Sequence, residues 1–407
     1  FKTADGYESM VQRVYRQITE VDKDASVTIA TSKTQVSAIH NQLGDSVGVC
    51  VEPCRRDTFP AIALATAYLH DVKGVGPDEP VVVCPVDPYV NNDYFEALKQ
   101  LSDLAEKGGA NLSLMGIEPT YPSEKYGYII PESAGSVSPV RTFKEKPDAK
   151  TAEQYIAQGA LWNGGVFAYR LGYVLDRAHE LIDFTDHQDL FNKYETLNKI
   201  SFDYAVVEHE SKIQVMRFAG QWKDMGTWNT LTEAMEEPKI GKANEVCRNV
   251  HIVNEMDVPI LAMGLHDVVI SASPEGILVS DKEQSSYIKP FVDKIDQQIM
   301  FAEKSWGSFR VLDVEEESLT IKITLNPGHR MNYHSHARRD EVWTVISGRG
   351  YAIVDGVKTT VQAGDVVKMP AGSRHTIVAD TELKVMEVQL GRDISVHDKE
   401  KFPFPEV

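Results

Sequence analysis

The sequence has little cysteine, no basic surplus and no long apolar run, and each shortage excludes a class of protein. Four cysteines (Cys50, Cys54, Cys84 and Cys247) in 407 residues cannot build a disulfide framework. Cys50 and Cys54 have the spacing of half a zinc site, but no partner pair follows, so they read as ordinary thiols. No window approaches the roughly 18 uninterrupted apolar residues of a membrane span. The best candidate, residues 61–69, is rich in small side chains and reads as a buried helix. Lys plus Arg number 42 against 60 Asp plus Glu, a net charge of −18. A field of that sign repels polyphosphate backbones, so nucleic acid is not an expected partner. A small anionic substrate needs only a local cation and is not excluded. The N-terminus has no charged region followed by an apolar stretch, and the expectation is a cytoplasmic protein with no membrane partner. Repeats and low-complexity segments are also lacking.

What is present is the ordinary mixture of a globular chain, 42% apolar and 25% charged. At about 150 residues per domain the length suggests two or three domains. Over residues 1–235, short apolar runs at 27–31, 47–51, 80–85 and 111–117 alternate with helical stretches at 60–72 and 93–107. Apolar strands separated by helices predict a doubly wound α/β domain with a largely parallel sheet, its ligands at the carboxyl ends of the strands. Residues 236–304 read as a small β-rich connector followed by a helix over 291–304. Residues 305–407 read as strands only, with Asp355-Gly356 as a hairpin turn between 351–354 and 357–361. An antiparallel barrel or sandwich is predicted there.

The sharpest pattern lies in that last region. Gly328 is followed by His334-x-His336, Glu341 and Gly348, then Gly364, Pro370-x-Gly372 and His375. Residues two apart on a strand share a face, so His334 and His336 point the same way. Three imidazoles and a carboxylate suit zinc, iron, manganese, nickel or cobalt; the plain alternative is a set of barrel histidines holding no metal. The double motif resembles the cupin family nearly position for position, with Ala379 where many cupins place Asn. Cupins include isomerases, oxygenases and storage proteins, and the fold does not choose among them.

In the first region, Pro85-Val-Asp87-Pro sets an aspartate just past an apolar strand, and Trp222-Lys-Asp224-Met-Gly-Thr-Trp228 sets a second. Two such carboxylates suffice for Mg²⁺ bridging phosphates. Phe143-Lys-Glu145-Lys146-Pro147 offers a point positive charge beside a carboxylate. Leu161-Trp-Asn163-Gly-Gly-Val-Phe167 offers an amide and two glycines. Singly, each is as readily a turn or a helix cap. Taken in order with Glu52-Pro, Asp57-Thr58-x-Pro60, Lys125-Tyr-Gly127-Tyr-Ile and Phe202-Asp-Tyr-Ala-Val-Val-Glu208, they resemble the sugar-1-phosphate nucleotidyltransferases, in the branch of the mannose-1-phosphate guanylyltransferases.

That resemblance implies a Rossmann-like domain joined to a cupin similar to type II mannose-6-phosphate isomerase. It implies GTP and mannose 1-phosphate as substrates, a homo-oligomer (a dimer), Mg²⁺ on Asp87 and Asp224, and Lys146 on the sugar phosphate. Gly127, Glu145 and Asn163 would line the sugar pocket, and Glu52, Asp57, Thr58 and Pro60 would lie near the base. Three differences accompany it. The family's Gly-rich loop, which would cradle the triphosphate, is expected to be missing, because Phe1-Lys-Thr resembles the stretch just after that loop. Asp57 stands where the family usually has Asn. His334 stands where such isomerases show Gln, and they carry another His near Arg338. Isomerase activity in the barrel, a metal-binding or assembly role without chemistry, and a different nucleotide or sugar remain the competing expectations.

Overall fold

The computed structural model describes every residue except 1, 4, 5, 236, 296, 297, 393, 395–397, 406 and 407. Phe1, where the family resemblance begins, therefore lies outside the described residues. Internal contacts divide the chain into two compact units, Phe1–Gly226 and Thr227–Val407.

The first unit opens with a short hairpin of β1 (Lys2–Thr3) and β2 (Gly6–Tyr7). Helix α1 (Met10–Val21) follows, started by a reciprocal cap in which Ser9 Oγ accepts from the Gln12 amide and Gln12 Oε1 accepts from the Ser9 amide. Then come β3 (Thr28–Ser32), α2 (Val36–Leu43), β4 (Gly48–Glu52), α3 (Thr58–Asp71), β5 (Pro80–Val83) and β6 (Pro88–Val90). Helix α4 (Asn92–Lys107) ends on Gly108 in the left-handed conformation, which a residue without Cβ adopts freely. Strands β7 (Leu112–Ile117), β8 (Tyr128–Pro131) and β9 (Val137–Lys144) precede α5 (Ala149–Ala157) and β10 (Leu161–Arg170). The unit closes with α6 (Leu171–Leu181), α7 (His187–Lys193), α8 (Phe202–Ala205), β11 (Ile213–Phe218) and β12 (Trp222–Asp224).

The α/β architecture is as the pattern predicts, but the main sheet is mixed rather than largely parallel. Its order is β5-β10-β7-β11-β9-β8. Strands β7 and β11 are parallel, whereas β10 runs antiparallel to both β5 and β7. The cause is the antiparallel β8–β9 pair inserted after β7. With a hairpin in place of a crossover helix, the chain re-enters the sheet reversed. Strands β3 and β4 form a separate parallel pair. Apolar side chains on both faces of the sheet explain the uniformly apolar strands. Met115 and Ile117 pack with α4 residues on one side, and Leu112 and Leu114 pack with Phe59, Ile62 and Phe202 on the other. Burying each such side chain contributes about 1.5–3 kcal/mol.

The second unit begins with α9 (Trp228–Ala234) and a coil of short strands, β13 (Lys239–Ile240), β14 (Ala243–Arg248), β15 (His251–Asn254), β16 (Ile260–His266), β17 (Val268–Ser273) and β18 (Gly276–Asp281). Alternate strands pair in parallel, β13 with β15, β15 with β17, and β14 with β16. This is a small β-solenoid, closed by antiparallel β18. The helix expected over 291–304 is corrected: among the described residues there, only the end of α10 (Lys289–Val292) is helical, and residues 301–304 form β19 (Phe301–Lys304). The apolar stripe that suggested a helix, Phe291, Ile295 and Ile299, is more than half exposed. With no surface to bury that stripe, so short a helix is marginal.

The rest is antiparallel and all β. One sheet contains β19, β20 (Gly307–Val314), β21 (Ser318–Leu325), β28 (Leu383–Leu390), β23 (Asp340–Ser347) and β26 (Val366–Met369). The other contains β25 (Val357–Gln362), β24 (Arg349–Val354), β27 (His375–Ala379), β22 (His334–Ser335) and β29 (Glu400–Lys401). The predicted hairpin joins β24 to β25, with Asp355 and Gly356 both at positive φ (48° and 81°), as a two-residue turn of this kind requires. Inward residues of β28 change character along the strand: Leu383 and Val385 are apolar, Glu387 and Gln389 polar, and all four are buried. The barrel thus has an apolar floor and a polar end.

Candidate active site and candidate metal centre

Strand pairing brings Asp87 and Asp224 together. Asp224 ends β12, which pairs with β6 so that Asp224 lies opposite Pro88, and the Met225 amide donates to the Asp87 carbonyl at 3.2 Å. Both carboxylates converge on Gly226. A Cβ there would sit 2.9 Å from Asp224 Oδ1 and 3.8 Å from Asp87 Oδ2. The surrounding protein and the Asp224 charge both push the Asp87 carboxyl up, as burial beside a like charge does. Behind them Tyr126 packs between Trp162 and Trp222, with ring centroids at 5.0 and 5.4 Å.

A second cluster forms where β8, β9 and β10 meet. Gly127 leaves room there: a Cβ on it would lie 2.5 Å from Glu145 Oε2 and 3.0 Å from the Phe143 ring, so the Glu145 carboxylate would have to shift. The Asn163 amide donates to the Gly127 carbonyl at 2.8 Å. Lys146 Nζ bonds Glu145 Oε1 at 2.9 Å, with Lys146 largely exposed and Glu145 buried. Glu145 Oε2 is buried without a hydrogen-bond partner. Lys146 has φ +43°, a conformation that turns its side chain out of the strand path. Asn163 also donates to Asp203 Oδ1 at 2.7 Å. Burial, reinforced by the Glu145 charge, raises the Asp203 carboxyl to about 6. Asp203 sits inside a motif singled out in the sequence, but its role there was not legible. The signal was a carboxylate next to the buried Phe202.

Glu52 ends β4 and accepts from Tyr194 Oη at 2.9 Å. Asp57 caps α3 through the Thr58 amide at 2.8 Å, with φ 71° and ψ −176°. Thr58 Oγ1 accepts from the Phe202 amide at 2.8 Å, so the start of α3 pins the loop that carries Asp203. Pro60 is buried in the first turn of α3, where its missing N–H costs nothing. The glycines after Asn163 link the clusters: Gly164 lies against Trp222, and Gly165 against Pro85.

The barrel gathers His334, His336, Glu341 and His375, all buried, with one ligand atom from each within 4.8 Å of the others. Cross-strand pairing sets His334 opposite His375. Each imidazole has its Nδ1 on a backbone carbonyl: His334 on Asn332 at 2.6 Å, His375 on Ser373 at 3.0 Å, and His336 on Asp398. A carbonyl only accepts, so Nδ1 carries the hydrogen and Nε2 turns its lone pair inward. Burial, with Lys399 nearby, drives His334 down to about 2, and burial lowers His336. These rings are neutral donors at neutral pH. His375 Nε2 and Glu341 Oε2 lie 3.1 Å apart, both buried and neither hydrogen-bonded. Two facing lone pairs fit a cation between them, so the donor set suits a divalent transition metal. Nearby, Trp343 Nε1 donates to Glu387 at 2.8 Å. Burial, then the Glu341 charge, pushes the Glu387 carboxyl to about 7.

Comparison with known proteins agrees with both halves. A family model described as nucleotidyl transferase matches residues 1–239, more than half of the chain. The chain belongs to the nucleotidyl transferase family. A cupin domain model matches residues 321–389 of this nucleotidyl transferase. The mannose-1-phosphate guanylyltransferase of Escherichia coli is 26% identical over 449 residues, covering 98% of this chain and 93% of the relative. The alginate biosynthesis protein AlgA of Pseudomonas aeruginosa is 27% identical over 396 residues, covering 88% and 81%. Among solved structures, the mannose-1-phosphate geranyltransferase from Thermus thermophilus shares the fold at a TM-score of 0.57 and 24% identity, covering 72% of this chain and 90% of that one.

Proposed function

We propose that the protein transfers GMP from GTP to mannose 1-phosphate, giving GDP-mannose and pyrophosphate. The observation that carries the chemistry is the convergence of Asp87 and Asp224 on Gly226, in the same unit as the Lys146–Glu145–Asn163 cluster. The names of the full-length relatives support the choice of nucleotide and sugar. Asp87 and Asp224 would hold Mg²⁺, which when bound neutralises charge on the triphosphate. Lys146 would hold the sugar phosphate, while Glu145, Asn163 and Gly127 receive its hydroxyls. A phosphate oxygen of the sugar forms the new bond to the α-phosphorus as the bond to the β-phosphate oxygen breaks. That attacking oxygen is already ionised, so no general base is needed, and positioning with charge neutralisation supplies the rate. Glu52, Asp57 and the start of α3 would face the base.

The test is GDP-mannose formation by the full chain with Mg²⁺, GTP and mannose 1-phosphate, against UTP and ATP as controls. Equal turnover with all three nucleotides, or none with GTP, overturns the assignment. The buried histidine–glutamate cluster favours a second reading for the barrel, metal-dependent isomerisation of mannose 6-phosphate. The full chain loaded with Mn²⁺, Co²⁺ or Zn²⁺ and given mannose 6-phosphate would form fructose 6-phosphate; no product with any metal leaves the barrel a binding module. A dimer is the proposed assembly. The exposed pairs Asn244–Leu261 and Val246–Met263 on β14 and β16 support it, and light scattering that shows a monomer would refute it.

A further inference from the structure

Arg339 lies in the loop between two of the candidate metal ligands, in an Arg-Arg-Asp run. The structure buries it, with its side chain only 8% exposed. Its Nε donates to Glu341 Oε1 at 3.0 Å, and its Nη2 lies 3.0 Å from His336 Nε2. The direction of the second bond is forced. Guanidinium has donors only, and His336 Nδ1 has its hydrogen on the Asp398 carbonyl, so Nε2 accepts. A neutral imidazole has one lone pair at that nitrogen. It can take the guanidinium hydrogen or a metal ion, never both. The same guanidinium bridges His336 Nε2 and Glu341 Oε1, which are 3.1 Å apart. Half of the donor set is thus engaged by an internal cation, whereas Glu341 Oε2 and His375 Nε2 have no hydrogen bond.

We infer that Arg339 is an exchangeable internal cation of the barrel: its guanidinium neutralises the buried Glu341 before metal arrives, and a divalent metal must displace it from His336 Nε2 and Glu341 Oε1. A buried carboxylate without a partner is strongly destabilising, so this pairing lets the barrel fold ahead of loading. Its cost is competition with the metal for two of four donors. The inference concerns the barrel alone and does not depend on the transferase reading.

The experiment uses the full chain stripped with chelator and then supplied with Zn²⁺. Arginine-selective labelling with phenylglyoxal, mapped by peptide mass spectrometry, should modify Arg339 several-fold faster in the loaded protein. Equal or slower labelling overturns the exchange. Titration with Co²⁺, followed by its visible absorption, gives the second readout. Arg339→Gln removes the competing cation but keeps a polar side chain, and should bind Co²⁺ at least tenfold more tightly than the parent. Unchanged or weaker binding by a folded variant refutes the competition. Should that variant fail to fold without metal, the labelling result on the unmodified chain decides alone.

Discussion

The two units set their candidate cation sites in opposite surroundings. In the first, Asp87 and Asp224 stand on loops more than a hundred residues apart, partly open to solvent, and are joined by one three-residue strand pairing. In the second, all four ligands are buried inside the barrel, and every imidazole is oriented by a backbone carbonyl. The difference suits the tasks proposed for the two sites. An ion that travels with a triphosphate needs open coordination and a wet approach, whereas a resident transition metal needs a fixed, water-poor shell. Even so, burial first and the facing Asp224 charge second raise the Asp87 carboxyl. Enclosure shifts the burden to desolvation, as the depressed histidines show.

The contrast can be broken from the buried side first. His334→Ala/His336→Ala should take the barrel from one bound transition metal per chain to none, read by elemental analysis of untagged protein; equal metal in parent and mutant would dismiss the centre. On the open side, Asp87→Asn and Asp224→Asn should each cut GDP-mannose formation by at least about 100-fold. Their melting temperatures should not fall, because each change removes a repulsion. Near-normal turnover would leave these carboxylates as turn residues. Lys146→Ala should lower kcat/KM for mannose 1-phosphate by roughly 10- to 150-fold, the loss of one charge-assisted contact of about 1.5–3 kcal/mol, with KM for GTP little changed.

Smaller effects sharpen the picture. Asp203 titrates near 6 in the folded state, above an ordinary aspartate. The folded chain therefore binds more protons than the unfolded chain between about pH 4 and 6, and this group's contribution to stability is present below that window and lost as pH rises through it. Asp203→Asn should flatten that part of the stability–pH curve, measured by urea unfolding; an unchanged slope would mean the carboxyl is not desolvated. Asp57 occupies a backbone region that suits glycine. Relief of strain of about 1–3 kcal/mol, less the extra chain entropy of glycine at about 0.5–1 kcal/mol, should make Asp57→Gly more stable by about 1 kcal/mol. A less stable variant would show that the cap on Thr58 outweighs the strain.

Legibility in the sequence tracked how local each feature was. The barrel ligands showed through because a strand's two-residue period places His334 and His336 together whatever the rest of the fold does. The transferase residues showed only through the order of their motifs, since no spacing rule predicts that β12 will pair with β6. Asp203 and Arg339 were hidden for a related reason. Each is defined by a partner that tertiary folding delivers, Asn163 in one case and His336 with Glu341 in the other. The mixed sheet was missed because a hairpin and a crossover helix can separate equally apolar strands.

Asp398 fastens the barrel. Its carbonyl holds His336, its carboxylate caps the Ala337 and Arg338 amides at 3.0 Å each, and β29 then runs beside β22, with Phe402 and Phe404 under the guanidinium groups of Arg374 and Arg330. Synthesis runs from the N-terminus, so His336 leaves the ribosome some sixty residues before the group that fixes its tautomer. The first unit's contacts lie within residues up to Gly226, all of them made before the barrel. A newly made chain therefore holds every residue of the first unit's candidate site long before the barrel's histidine–glutamate cluster can gain the Asp398 carbonyl.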